Sequence, residues 1–170
     1  KNIIIKIINQ SYFDKNYDLV IFASTANGRH TLLKNILKSV KIKFILFEKI
    51  VFQSESQFYK SLKLITENKI KAWVNCTRRQ YNSYQYLAKI IDIHNIKNFH
   101  MTVSGNFEFS SNLIHFIDLF SLLSSTDKMK LLNFNLHSIK NSKRDNFYEF
   151  SGFAKIVCEK NNNLEVNNNI

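Results

Sequence analysis

The sequence predicts an α/β chain in two parts: an incomplete parallel α/β part over residues 1–78, then an α+β part with a mostly antiparallel sheet over residues 79–170. Three observations carry this. Up to residue 76, short apolar runs rich in β-branched residues alternate with segments of helical period, and parallel strands need such crossover helices. Beyond Arg79, two long strand-like segments follow one another across a polar stretch, the pattern of an antiparallel pair. The composition, 45% hydrophobic and 14% aromatic in 170 residues, is that of a folded chain, long enough for one ordinary domain or two small half-domains.

Taken in order, residues 3–8 form an apolar run of strand character. Asp18 introduces a second, Leu19-Val20-Ile21-Phe22-Ala23, with the length and β-branched content of a buried parallel strand. It ends in the polar turn Ser24-Thr25-Ala26-Asn27-Gly28. Leu33, Leu37 and Val40 then fall at helical spacing and lead to a third strand-like run, Phe44-Ile45-Leu46-Phe47. Ser54, with Gln57 three residues on, makes a capping-box start for a helix carrying Phe58, Leu62 and Ile65 along one face. Asn68 ends it, and Ala72-Trp73-Val74-Asn75-Cys76 supplies another short strand. Such an alternation implies a sheet covered on both faces.

In the second part, Tyr84, Leu87, Ala88 and Ile91 are in phase for a helix, and residues 99–103 alternate with period two as a half-exposed strand does. A strongly apolar helix is expected over residues 112–123, with Leu113, Phe116, Ile117 and Phe120 as its buried stripe. Residues 130–139 and 147–159 read as the antiparallel pair, joined by the polar stretch 140–146. The asparagine triplets at 161–163 and 167–169 are of low complexity and predict a loose end. No internal repeat is visible.

No stretch approaches the ~20 apolar residues of a membrane-spanning helix, and Lys1-Asn2-Ile3-Ile4-Ile5-Lys6 holds no signal-peptide core. The expectation is a soluble, cytoplasmic protein without a membrane partner. Cys76 and Cys158, with no Cys-x-x-Cys and no Cys/His cluster, argue against a disulfide framework and against a metal site, and read as reduced thiols. A net charge of +11 raises nucleic acid as a partner. The distribution speaks against it: only Arg29, Arg78, Arg79 and Arg144 are arginines, the lysines are scattered, and the excess of Lys, Asn and Ile matches A+T-rich codon usage. The absence of proline, the presence of only Gly28, Gly105 and Gly152, and the initial lysine suggest a piece of a longer reading frame.

Four short signals fall where chemistry would want them. Ser24, Thr25, Asn27 and Gly28, with His30 opening the next helix, sit at a strand's carboxyl end, where open parallel sheets bind ligands and a helix N-terminus favours anions; an ordinary polar turn is the alternative. Glu48-Lys49 closes the third strand-like run, and a lysine held in a cleft there can polarise a hydroxyl or carbonyl; a solvated pair is the alternative. Asn75-Cys76-Thr77-Arg78-Arg79 ends the next strand with two guanidinium forks suited to a phosphate, a carboxylate or a polyhydroxylated substrate. Cys76 lacks an evident histidine partner for nucleophilic work. His115 and Asp118, three apart on the apolar helix, could form a tuned acid–base pair or be a satisfied core histidine and its neighbour. The pair lacks the further ligands that a metal would need.

The order of these signals, Asp18-Leu-Val-Ile-Phe-Ala-Ser-Thr-Ala-Asn-Gly-Arg-His30, then Phe47-Glu48-Lys49, then Val74-Asn75-Cys76-Thr77-Arg78, then Asn112-Leu-Ile-His115-Phe-Ile-Asp118, resembles the glucose-fructose oxidoreductase/inositol dehydrogenase (Gfo/Idh/MocA) family over about residues 17–123. The resemblance implies a Rossmann-like dinucleotide-binding domain, here incomplete, followed by an α+β substrate and oligomerisation domain. It implies an NAD(P)-dependent oxidoreductase acting on a sugar, cyclitol or nucleotide-linked sugar. Ser24, Thr25, Asn27, His30, Glu48 and Lys49 would lie along the NAD or NADP cofactor, with Lys49 and His115 as catalytic residues. Arg78, Asn112, His115 and Asp118 would meet the substrate. Homo-oligomers through the open sheet are the family habit.

Against the family pattern, the Gly-x-Gly-x-x-Gly turn is missing from these residues, Ile50 stands where proline usually follows the lysine, and Ser111 stands where many members carry aspartate. The antiparallel part has about three strands, fewer than the family sheet. These 170 residues by themselves are therefore expected to be inactive. A non-catalytic module that binds a sugar or a protein is the second reading, and a basic nucleic-acid-binding protein the third.

Overall fold

The computed structural model describes residues 16–142, 146–159 and 162–168; the strand expected at residues 3–8 lies outside them. The chain divides into two compact units, Lys1–Asn75 and Cys76–Ile170.

The first unit runs β1 (Asn16–Phe22), α1 (Arg29–Ile36), β2 (Lys41–Glu48), α2 (Glu55–Glu67) and β3 (Lys71–Asn75). The strands form one parallel sheet in the order β1-β2-β3. Phe22 pairs with Phe47 and Glu48 with Asn75, so the three carboxyl ends finish nearly level. Phe22, Ile45 and Phe47 of the sheet pack with Leu33 and Ile36 of α1 and Ile65 of α2. Each such buried side chain contributes roughly 1.5–3 kcal/mol.

Strands that follow one another in space as in sequence, joined by right-handed crossovers, place both helices on the same face. The opposite face is consequently bare among the described residues: Leu19, Ile21 and Trp73 are 51%, 56% and 53% exposed, and the register sets them beside Phe44 and Leu46. Of the expected cover on both faces, the described residues supply one, because alternation alone cannot show where strand order reverses.

Both arms of the predicted cap on α2 form. Ser54 Oγ accepts from the Gln57 amide at 3.3 Å, and Gln57 Oε1 accepts from the Gln53 amide at 3.2 Å, one residue earlier than a standard box. Ile65 is buried, whereas Phe58 and Leu62 on the expected apolar face remain 46% exposed.

The second unit opens with a 3-10 turn (Thr77–Gln80) and continues as α3 (Asn82–Ile93), β4 (His100–Ser104), α4 (Phe109–Ser124), β5 (Met129–Asn141), β6 (Tyr148–Cys158) and β7 (Asn163–Asn168). The sheet order is β4-β7-β6-β5, with β4 and β7 parallel and the other two pairs antiparallel. Residues 163–168 are therefore not loose, while Asn161 and Asn169 of the two triplets lie outside the described residues: β7 is an inner strand whose Leu164 and Val166 are fully buried. Period-two alternation in Asn163-Leu164-Glu165-Val166-Asn167 drives this, and asparagine on both sides masks it in a reading by composition. Phe109, Phe116 and Phe120 of α4 pack on Ala154, Ile156, Leu164 and Val166, with Leu113 and Ile117 at the margin of that core. Among the described residues no helix is long and apolar enough to cross a membrane.

Candidate functional site

In the first unit the polar residues gather at the carboxyl ends of β1, β2 and β3, where an open parallel sheet offers a crevice. Ser24, Thr25 and Asn27 are exposed in the turn after β1. Gly28 closes that turn at φ 74°, a left-handed conformation natural to glycine. It precedes α1 without any side-chain cap, and the Arg29 amide, the first of the helix, donates to the Ala26 carbonyl at 3.3 Å. A Cβ built on Gly28 would meet nothing within 4 Å, which marks open space at the turn. Half-buried Glu48 ends β2, and its Oε1 accepts a hydrogen bond from Asn75 Nδ2 of β3 at 2.5 Å. Lys49 follows, half-buried, and its peptide bond to Ile50 is cis.

His30 differs from its neighbours in the turn. Its Nδ1 lies 2.8 Å from Oγ of the buried Ser61, so on that side the ring ties α1 to α2. Ser24, Thr25, Asn27, Glu48 and Lys49 share the strand-end region.

Arg29 is the residue that sequence reasoning passed over. It is 1% exposed, and its Nη1 donates to the carbonyl oxygens of Glu48 at 2.6 Å, Ile50 at 2.8 Å and Val51 at 3.0 Å. Nη2 donates to the Ser24 carbonyl, while the buried Nε has no hydrogen-bond partner among the described residues. Burial pushes the guanidinium pKa down, opposed by the Glu48 carboxylate. A signal for it was present: Arg29, Leu33 and Ile36 recur at the helical spacing of one buried face.

In the second unit two arginines of the 3-10 turn reach α4. Arg78 Nη2 donates to Asn112 Oδ1 at 3.3 Å, and its guanidinium carbon stands 4.3 Å from the centre of the Phe116 ring. Arg79 Nε donates to Asp118 Oδ2 at 2.8 Å, and its Nη2 donates to the Asp118 carbonyl at 3.3 Å. His115 lies on α4 between Asn112 and Asp118, half-buried. Asp118 thus serves as the counter-ion of Arg79, a role that a reading of α4 alone could not assign. Cys76 and Cys158 are buried thiols. Among the described residues no group of three or more His, Cys, Asp or Glu is placed to hold a metal.

No family model matches the sequence, and no curated protein matches it either. The fold is that of a class of solved oxidoreductases and dehydrogenases. A WlbA dehydrogenase from Chromobacterium violaceum, solved in complex with NADH and UDP-GlcNAcA, matches with a TM-score of 0.67 at 13% identity, covering 89% of this chain and 48% of its own. A Sinorhizobium meliloti protein provisionally described as a myo-inositol dehydrogenase gives 0.65 at 16% identity, covering 89% and 50%. The dehydrogenase MviM from Clostridium difficile gives 0.61 at 16%, covering 89% and 49%. The chain spans about half the length of these proteins, and at such identities the likeness is one of fold.

Proposed function

We propose that these residues are the later part of a dinucleotide-binding domain and the first part of a substrate domain from an NAD(P)-dependent oxidoreductase acting on a carbinol of a sugar, cyclitol or nucleotide-linked sugar. One observation carries the reading: the level carboxyl ends of β1, β2 and β3 bring Ser24, Thr25, Asn27, the Glu48–Asn75 pair and Lys49 to one edge, in a fold found in a dehydrogenase solved with NADH. The donor set fits the ribose side of such a cofactor. Hydroxyl and amide groups of Ser24, Thr25 and Asn27 can meet its polar edges, and the Glu48 carboxylate can accept from ribose hydroxyls.

A nicotinamide cofactor supplies a two-electron hydride acceptor when bound. Oxidation of a carbinol also requires that its hydroxyl proton leave separately, and that is the part the protein's own side chains would perform. Lys49 Nζ is assigned to that proton; in the second unit His115 is a further candidate acid–base group, with Arg78, Asn112 and Asp118 as candidate substrate contacts. The described residues contain no glycine-rich turn for a pyrophosphate, so weak cofactor binding and no turnover are expected from these 170 residues alone.

The test is a titration of the 15N-labelled chain with NADH. Millimolar binding with amide shifts concentrated at residues 24–30 and 48–49 is the expected outcome. Saturating NADH that leaves those amides unmoved, or shifts spread evenly over the lysine-rich surface, overturns the reading.

A further inference from the structure

We infer that Arg29 is a positioning residue for Lys49: its buried guanidinium gathers the carbonyls on both sides of that lysine and so fixes where the amine stands. Nη1 donates to the Glu48 carbonyl immediately before Lys49 and to the Ile50 and Val51 carbonyls immediately after it, at 2.6, 2.8 and 3.0 Å. Nη2 spans to the Ser24 carbonyl in the turn after β1. One side chain therefore joins the turn that follows β1 to the turn that follows β2.

Arginine is suited to this work by its chemistry. It offers five donors in a planar fork and no acceptor, so it can hold several carbonyls at once. Lysine places three donors on one atom and cannot span two turns in that way. An apolar side chain of similar length would fill the space and leave the carbonyls that meet the buried guanidinium without donors, a costly state for groups shielded from water. Arg29 is itself held from behind: it sits on the face of α1 that carries Leu33 and Ile36 into the core. The guanidinium is thus anchored on a helix, and the turn around Lys49 is anchored on the guanidinium. The link of Arg29 to Lys49 stands by its own geometry; its catalytic meaning rests on the proposed oxidoreductase reading.

The test measures the acylation rate of each lysine in the full 170-residue chain, resolved by mass spectrometry across a range of pH, in the wild type, Arg29→Met and Arg29→Lys. Lys60 and Lys71, both exposed, serve as internal references. In Arg29→Met the rate and pH profile of Lys49 change several-fold while the references stay unchanged, and Arg29→Lys gives an intermediate effect. A folded variant in which Lys49 reacts as in the wild type overturns the inference, as does a uniform rise at every lysine. If Arg29→Met does not fold, Arg29→Lys decides by the same criteria, and failure of both to fold makes Arg29 a general fold residue and overturns the specific assignment. Loss of the oxidoreductase reading in the NADH titration leaves this readout unaffected, so the two can fail separately.

Discussion

Glu165 of β7 lies between two basic side chains, with Lys155 Nζ 2.7 Å from Oε1 and His100 Nε2 3.8 Å from Oε2. The hydrogen bond from Lys155 is the main reason that its carboxyl is held below its ordinary value of 4.5. A folded-state pKa below the unfolded one gives stability that is present above the unfolded value and is lost as pH falls through the folded one. The difference in melting temperature between wild type and Glu165→Gln should therefore be present near neutrality and close in acid below pH 4.5. A difference that widens in acid contradicts this assignment. Charged residues were legible in the sequence only in part. Glu48 and Lys49 stood out because charged groups at a strand's end are few and consecutive, whereas Arg29 was hidden because a charge is read as surface unless its neighbours at helical spacing are counted. The Arg79–Asp118 pair was hidden for another reason: its partners are 39 residues apart, and no local pattern links them.

At the scale of elements, strands β5 and β6 meet at a place with no room for a side chain. A Cβ on Gly152 would stand 2.5 Å from the backbone oxygen of Asn135 on β5, and a backbone oxygen held in a strand cannot swing aside. Gly152→Ala should cost about 2 kcal/mol or more by overpacking, read as a lower denaturant midpoint. A midpoint equal to the wild type would show that the two strands part easily here. The register between them slips at Leu131/Asn133 and at Leu136/Ser138, and such irregularities have no signature in alternation alone. Helix α2 was legible to its cap because a capping box is a local hydrogen-bond pattern. Strand β7 was not, since asparagine masks its alternation and its inner place depends on parallel pairing with β4, some 60 residues earlier in the chain.

Over the whole molecule, the feature of most consequence is the apolar face of the first sheet, bare among the described residues. Trp73, the single tryptophan, is on it, with its ring centre 6.0 Å from that of Phe44. Its fluorescence should emit at the long-wavelength limit for tryptophan in water and be quenched readily by acrylamide, a neutral probe chosen because a net charge of +11 would enrich an anionic one. Blue-shifted, protected emission would mean that something covers this face in solution. Local pattern was enough to show that apolar runs alternate with helical segments, hence a parallel sheet, and that polar and charged residues close each strand, hence a shared polar edge. These are consequences of chain-local periodicity and of the rule that parallel strands need crossovers. Which sheet face is covered, the inward turn of Arg29 onto the carbonyls around Lys49, and the inner place of an asparagine-rich strand emerged in the folded chain alone. Each of those depends on pairing and burial between residues distant in sequence, where the free energy belongs to the assembled core and not to any local segment.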